Sequence, residues 1–135
     1  MTDEENKILI ADDDGMQRDL HHSLFEFRFP EFDLEFFAEG SSLENRLNTN
    51  LNDVRLVITD NHMPGITGSE IIQKYAKKLE FSKIPFILCY GGEEIIGKKA
   101  VENGAFGYII KGGDIDLYFE IIKKALDYKS TQSSQ

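Results

Sequence analysis

Five short apolar runs, separated by stretches of helical period, constrain this chain more than any other feature it has. They are KILIA at 7 to 11, LEFFA at 34 to 38, VRLVIT at 54 to 59, PFILCY at 85 to 90 and FGYII at 106 to 110. Each has the length and the β-branched or aromatic content of a strand. Leu56, Val57 and Ile58 follow one another without a polar break, which suits a strand buried on both faces. Between and after the runs, apolar residues recur at helical intervals: Met16, Leu20, Leu24 and Phe27; Ile71, Ile72, Tyr75 and Leu79; Leu117, Ile121, Ala125 and Tyr128. Alternating strands and helices imply parallel pairing, because each crossover helix returns the backbone to start the next strand in the same direction. The expected class is α/β, a doubly wound five-stranded parallel sheet with helices on both faces.

Local signals mark where the helices begin and end. Thr67 with Glu70 and Ser41 with Glu44 have the spacing of capping boxes, and Asp14 with Gln17 is an aspartate version of the same device. Pro30 closes the first helix, since the residue before a proline is pushed out of helical geometry. The second helix, around SSLENRLNTN, is short, polar and rich in Asn. One domain is expected over residues 1–128, followed by a polar, disordered tail, KSTQSSQ, at 129–135, and no second domain. A chain of 135 residues buries enough surface to fold without a metal or disulfide staple.

Charge excludes some functions. With 24 acidic against 15 basic residues the net charge is -9, which repels nucleic acid backbones and anionic membranes. No direct nucleic acid contact and no membrane insertion are expected. No apolar run reaches spanning length, and the polar start MTDEENK is unlike a signal peptide. Cys89, the single cysteine, has no intramolecular partner and suits a reducing compartment as a small buried hydrophobe. A soluble, cytoplasmic protein is the expectation.

All five strands would end on one edge, and ligands of such sheets bind outside those carboxyl ends, where the winding reverses. The strand ends carry Asp12 and Asp13, Asp60, Tyr90 and Lys111. Taken singly, each has an ordinary reading: DDDG and Asp60 as turns, Asp14 as a helix cap, Lys111 as a solvated lysine. Placed together they pose an electrostatic problem, because two carboxylates ~4 Å apart repel by roughly 4 kcal/mol at an effective dielectric of 20. Three together demand a proton, a lysine or a metal ion. Magnesium suits the site, since it takes oxygen ligands, keeps several waters and uses only one or two protein carboxylates. His21 and His22 fall mid-helix and are expected on the surface, whereas His62 lies two residues after Asp60, beside the proposed site.

These residues resemble a known family, the response-regulator receiver domains of two-component signalling. KILIADDD is similar to the family's first strand with its acidic pair, here Asp12 and Asp13. LVITDNHMPGITG is similar to the strand and loop that bear the phosphoacceptor, which falls on Asp60, with the later Gly68. GAFGYIIK is similar to the fifth strand, with the switch aromatic at Tyr108 and the lysine at Lys111. The resemblance covers nearly the whole chain. It implies a flavodoxin-like strand order 2-1-3-4-5. It also implies a magnesium ion held by Asp12, Asp13, Asp60 and the His62 backbone carbonyl, and a Lys111 that pairs with a phosphoryl oxygen. The implied function is acceptance of a phosphoryl group on Asp60 from a histidine kinase or phosphotransfer protein, with signalling by docking to a downstream target protein. The implied chemistry is self-directed transfer and slow autodephosphorylation, with His62 a candidate modulator of the latter.

Two positions depart from the family pattern. Tyr90 stands where the family has Thr or Ser as the other switch residue, and a tyrosine hydroxyl lies too far from its own backbone to replace that short bond. KGGD stands where proline normally follows the lysine, so Gly112 and Gly113, with Gly91 and Gly92 opposite, flank the pocket with freer backbone. Gly91 leaves room for a phosphodonor to approach. A pseudo-receiver that binds partners without phosphorylation is one alternative. A magnesium-dependent phosphohydrolase of the haloacid dehalogenase type is another, although that chemistry wants an acid where His62 stands.

Overall fold

The computed structural model describes the backbone of residues 5–133 and the side chains of residues 5–128. Its strands are β1 (Lys7–Ala11), β2 (Asp33–Phe37), β3 (Val54–Thr59), β4 (Phe86–Tyr90) and β5 (Gly107–Ile110). They alternate with helices α1 (Gly15–Arg28), α2 (Gly40–Leu47), α3 (Gly68–Tyr75), α4 (Glu94–Glu102) and α5 (Ile115–Ser133), with a 3₁₀ turn at Leu79–Phe81. The strands form one sheet in the order 2-1-3-4-5, and every adjacent pair is parallel. Each apolar run of the sequence is therefore a strand, within a residue at either end.

Strand side chains alternate between two cores. Leu9, Ala11, Val57, Leu88 and Tyr90 face a core closed by Leu43 and Leu47 of α2, Ile71, Ile72 and Tyr75 of α3, and Ala100 of α4. Ile8, Ile10, Leu56, Ile58, Ile87 and Cys89 face the other, closed by Phe25 and Phe29 beside Tyr118, Phe119, Ile122 and Ala125 of α5. With both faces covered, β3 reads in sequence as the unbroken run that a two-sided burial requires. Each of its fully buried aliphatics contributes about 1.5 to 3 kcal/mol.

Several local expectations change. In α1 the stripe Met16, Leu20, Leu24, Phe27 is not the buried one: Met16 is 80% and Phe27 75% exposed, while His21, at 3%, and Phe25 point into the core. His21 is thus not a surface residue. Its Nδ1 lies 2.7 Å from the Tyr118 hydroxyl, which meets the polar demand that burial creates. In α5, Leu117 is 62% exposed, and Tyr118, Phe119 and Ile122 take the core positions instead. Leu79 belongs to the 3₁₀ turn and is exposed.

The capping signals divide. Thr67 and Glu70 form the full box, and Asp14 accepts the Met16 N–H. Ser41 and Glu44 do not, because α2 starts earlier, at Gly40, and Glu44 is drawn instead to Lys74 and the Tyr75 hydroxyl. The backbone of α5 continues as helix to Ser133, beyond the boundary placed at residue 128, as propagation of an existing helix adds one bond per residue fixed. Of the expected tail, residues 134 and 135 lie outside the described residues.

Candidate functional site

Chain order along the sheet runs from β1 outward to β2, then back across β1 to β3, so the winding reverses between β1 and β3. The backbone ladder continues one residue past these strands. The Asp12 N–H donates to the Phe37 carbonyl at 2.9 Å, the Asp60 N–H to Ala11 at 2.8 Å, and the Lys111 N–H to Tyr90 at 2.7 Å. Those bonds hold Asp12 and Asp60 side by side over the reversal and bring Lys111 to the same edge.

The side chains then converge. Asp12, Asp13 and Asp60 each offer a carboxylate oxygen within 4.8 Å of the others. Lys111 Nζ lies 2.9 Å from Asp12 Oδ2 and 3.1 Å from Asp60 Oδ1. Asp12 and Asp60 are buried, Asp13 is exposed, and Lys111 closes the cluster from the rim. Burial, reinforced by the charge of Asp12, pushes the Asp60 carboxyl above its usual range, against the pull of Lys111 and the Asn61 N–H. Burial works against the Lys111 charge, but its bonds to Asp12 and Asp60 prevail and hold the ammonium above its usual range. Cys89, beneath the cluster, is pushed up to about 12 by burial, so it stays an inert thiol.

The two oxygens of Asp60 differ. Oδ1 accepts the Asn61 N–H at 2.8 Å and meets Lys111. Among the described residues no hydrogen bond reaches Oδ2, which leaves that oxygen for a ligand or for nucleophilic attack. Asp12 Oδ2 has no partner other than the Lys111 ammonium, 2.9 Å away. Three convergent hard oxygen donors with unsatisfied capacity fit a divalent cation of magnesium type.

Supporting residues that pattern reading passed over hold these groups. Arg18 donates to the Asp12 backbone carbonyl at 2.8 Å, and the Asp14 N–H bonds Asp12 Oδ1 at 2.9 Å. A signal for Arg18 exists in sequence, since it follows the helix cap Asp14 by one turn and so reaches back over the loop. Asn61 ties the far side through its Oδ1 to the Ser69 N–H at 3.0 Å and its carbonyl to the Gly68 N–H at 3.1 Å.

The remaining expected residues fall as follows. His62 is exposed on the loop that leaves Asp60. Gly91 is exposed, and a Cβ there would meet nothing within 4 Å, so the approach expected at that position is open. Gly112 takes a φ of 78°, a left-handed turn that suits glycine after Lys111. Tyr90 is wholly buried, and its hydroxyl bonds the start of α4. Tyr108 is half-buried and donates to Glu94 Oε2 at 2.9 Å, a bond that raises its hydroxyl above the usual range.

A doubly wound sheet with an acid and lysine cluster over its reversal point is the architecture of a receiver domain. Residues 8–123 match the response regulator receiver domain family, and the chain belongs to that family. It is similar to the two-component response regulator ARR6 of Arabidopsis thaliana, at 29% identity over 87 residues, 61% of this chain and 46% of that protein. To the chemotaxis protein CheY1 of Helicobacter pylori it is 28% identical over 109 residues, 78% of this chain and 84% of that one. The chain thus spans less than half the length of ARR6. Among solved structures, a response regulator receiver domain protein from Clostridium thermocellum superposes with a TM-score of 0.80 at 23% identity, covering 93% of this chain and 98% of that one. Among the described residues no helix is long and apolar enough to cross a membrane.

Proposed function

We propose that this receiver domain accepts a phosphoryl group on Asp60 and signals by docking. The observation that carries the reading is the convergence of Asp12, Asp13 and Asp60 within 4.8 Å beside Lys111. Asp60 Oδ2, free of hydrogen bonds, attacks the phosphorus of a phosphohistidine on a partner protein. The new O–P bond replaces the N–P bond, whose electron pair stays with the imidazole nitrogen, and the product is an acyl phosphate. Lys111 stands within 3.1 Å of the other Asp60 oxygen, near enough to pair with the phosphoryl group and offset its charge. Asp12, Asp13 and Asp60 would hold magnesium, aided by the His62 carbonyl. The ion would supply neutralisation of the phosphoryl oxygens. Apart from this self-directed transfer and its slow reversal by water, no turnover is proposed. Partners are a histidine kinase or phosphotransfer protein and a downstream target. The free, buried Cys89 and the acidic surface suit a cytoplasmic setting.

Incubation with magnesium and a small acyl phosphate, read by intact mass, tests the proposal. A phosphoryl-sized gain that Asp60→Asn abolishes is the expected result. No gain from either a small donor or a phosphohistidine protein would leave the second reading, a pseudo-receiver that only binds. The commitment of the Tyr90 hydroxyl to α4 favours that reading.

A further inference from the structure

Helix α4 has no side-chain cap of its own at Glu93 among the described residues. Tyr90, three residues earlier at the end of β4, supplies one. Its hydroxyl donates to the Glu93 carbonyl at 2.8 Å and accepts the Gly97 N–H at 2.9 Å, so one buried side chain ties together both ends of the first turn of α4. The ring beside it is constrained as well. Tyr108 lies across α4 at Gly97, where an added Cβ would fall 2.3 Å from the Tyr108 ring, and its centroid is 6.3 Å from that of Tyr90. On its outer side Tyr108 is held by Glu94.

We infer that Tyr90 is a fixed pin: it locks the first turn of α4 to the sheet and keeps Tyr108 in its outer position, so phosphorylation of Asp60 leaves the α4–β5 face unmoved. This deepens the phosphoacceptor reading and rests on it. On its inner side Tyr108 meets the Tyr90 ring, which is 0% exposed and leaves no open space there. Displacing that ring strands the Gly97 N–H and the Glu93 carbonyl without their partner. The Tyr90 hydroxyl, already engaged twice, is not available to a phosphoryl group on Asp60. Gly91 and Gly92 separate the pin from Glu93, and at Gly91 a Cβ would touch nothing, so the loop can rearrange around a modified Asp60 without pulling on α4. The face that reports phosphorylation is then the acceptor edge itself, built from the loops after β1, β3 and β5.

Amide and aromatic NMR of the full chain with magnesium and beryllofluoride, a phosphoryl mimic, tests this. The expected result is shifts at Asp13, Asn61 and Lys111, with the Gly97 amide and the Tyr108 ring unmoved. In Tyr90→Phe, which keeps the ring, Gly97 amide exchange should quicken about tenfold and the mimic should now shift Gly97. In Tyr90→Thr the Tyr108 ring should shift too. Wild-type shifts at Gly97 and Tyr108 as large as at Asn61 would overturn the pin alone. No shifts at Asn61 or Lys111 would overturn the phosphoacceptor reading and the pin with it.

Discussion

Lys111 Nζ lies 2.9 Å from Asp12 Oδ2, a buried oxygen with no other partner, and 3.1 Å from Asp60 Oδ1. The protein thereby places its own cation where a metal ion would also be drawn. Removing one partner of a buried pair costs about 3 to 5 kcal/mol, and less where solvent reaches the pair, as it does at Lys111. Lys111→Met should destabilise the metal-free protein by roughly 1 to 3 kcal/mol in urea melts. It should also tighten magnesium binding, because the competing ammonium is gone. A variant that binds magnesium no better than wild type would show that the lysine and the metal do not share a field.

The Asp60 carboxyl has a folded-state affinity for protons above its ordinary value, through burial first and Asp12 second. A group shifted this way contributes stability below its unfolded pKa and loses it as pH rises through the folded value. At neutral pH its charge therefore opposes folding. Asp60→Asn should melt higher than wild type without metal, because the variant carries no charge at that buried position. The same variant should lose the stabilisation that magnesium gives the wild type. A lower melting temperature in Asp60→Asn would reverse the assigned sign.

Why the sheet and the acidic site were legible while the helix faces were not has a physical explanation. A strand buried on both faces must be apolar throughout, so runs such as VRLVIT declare themselves, and the residue after each run stands at a known edge. Asp12, Asp60 and Lys111 follow from that alone. Helix faces are set by what they pack against. In α1 an apolar stripe competed with His21 and Phe25, and the buried partner Tyr118, 97 residues away, decided for the histidine. The role of Tyr90 was hidden for the same reason: its hydroxyl reaches Gly97 on α4, a contact that spacing within β4 does not encode. Glu44 was lost to Lys74 and Tyr75 from another helix, a tertiary competitor that no capping box reveals.

His21 gives a pH test that separates core from site. Burial lowers its pKa from 6.5 to about 4, with Asp12 pulling the other way and Lys111 adding to the decrease. A depressed histidine contributes stability that is complete above the unfolded pKa and lost as pH falls through the folded one. Between pH 6.5 and 4, this residue alone should steepen the loss of stability by about 1.4 kcal/mol per pH unit. Asp60 contributes with the opposite sign at the acid end, so the comparison is with His21→Gln, which leaves Asp60 in place. Urea midpoints at pH 7 and pH 4.5 should fall further for wild type than for the variant. Equal falls would mean that His21 charges freely in the folded state.

Gly68 links helix placement to Asp60. A Cβ at this position would stand 2.0 Å from the Asp60 carbonyl oxygen and 3.0 Å from a Leu88 methyl, and the first obstacle is backbone that no rotamer change relieves. Gly68→Ala must therefore push α3 or the loop after β3 aside, and Asp60 moves with that loop because Asn61 bonds the Gly68 N–H and Asp60 Oδ1 alike. The expected cost is about 2 to 4 kcal/mol in stability, with magnesium affinity reduced roughly tenfold as the carboxylates part. Gly91→Ala is the control, since its Cβ meets nothing and should change both quantities little, within about 0.5 kcal/mol in stability. Paired urea melts and magnesium titrations of the two variants decide the matter. If Gly68→Ala matches Gly91→Ala in both, close packing against the Asp60 carbonyl is not what positions the acid.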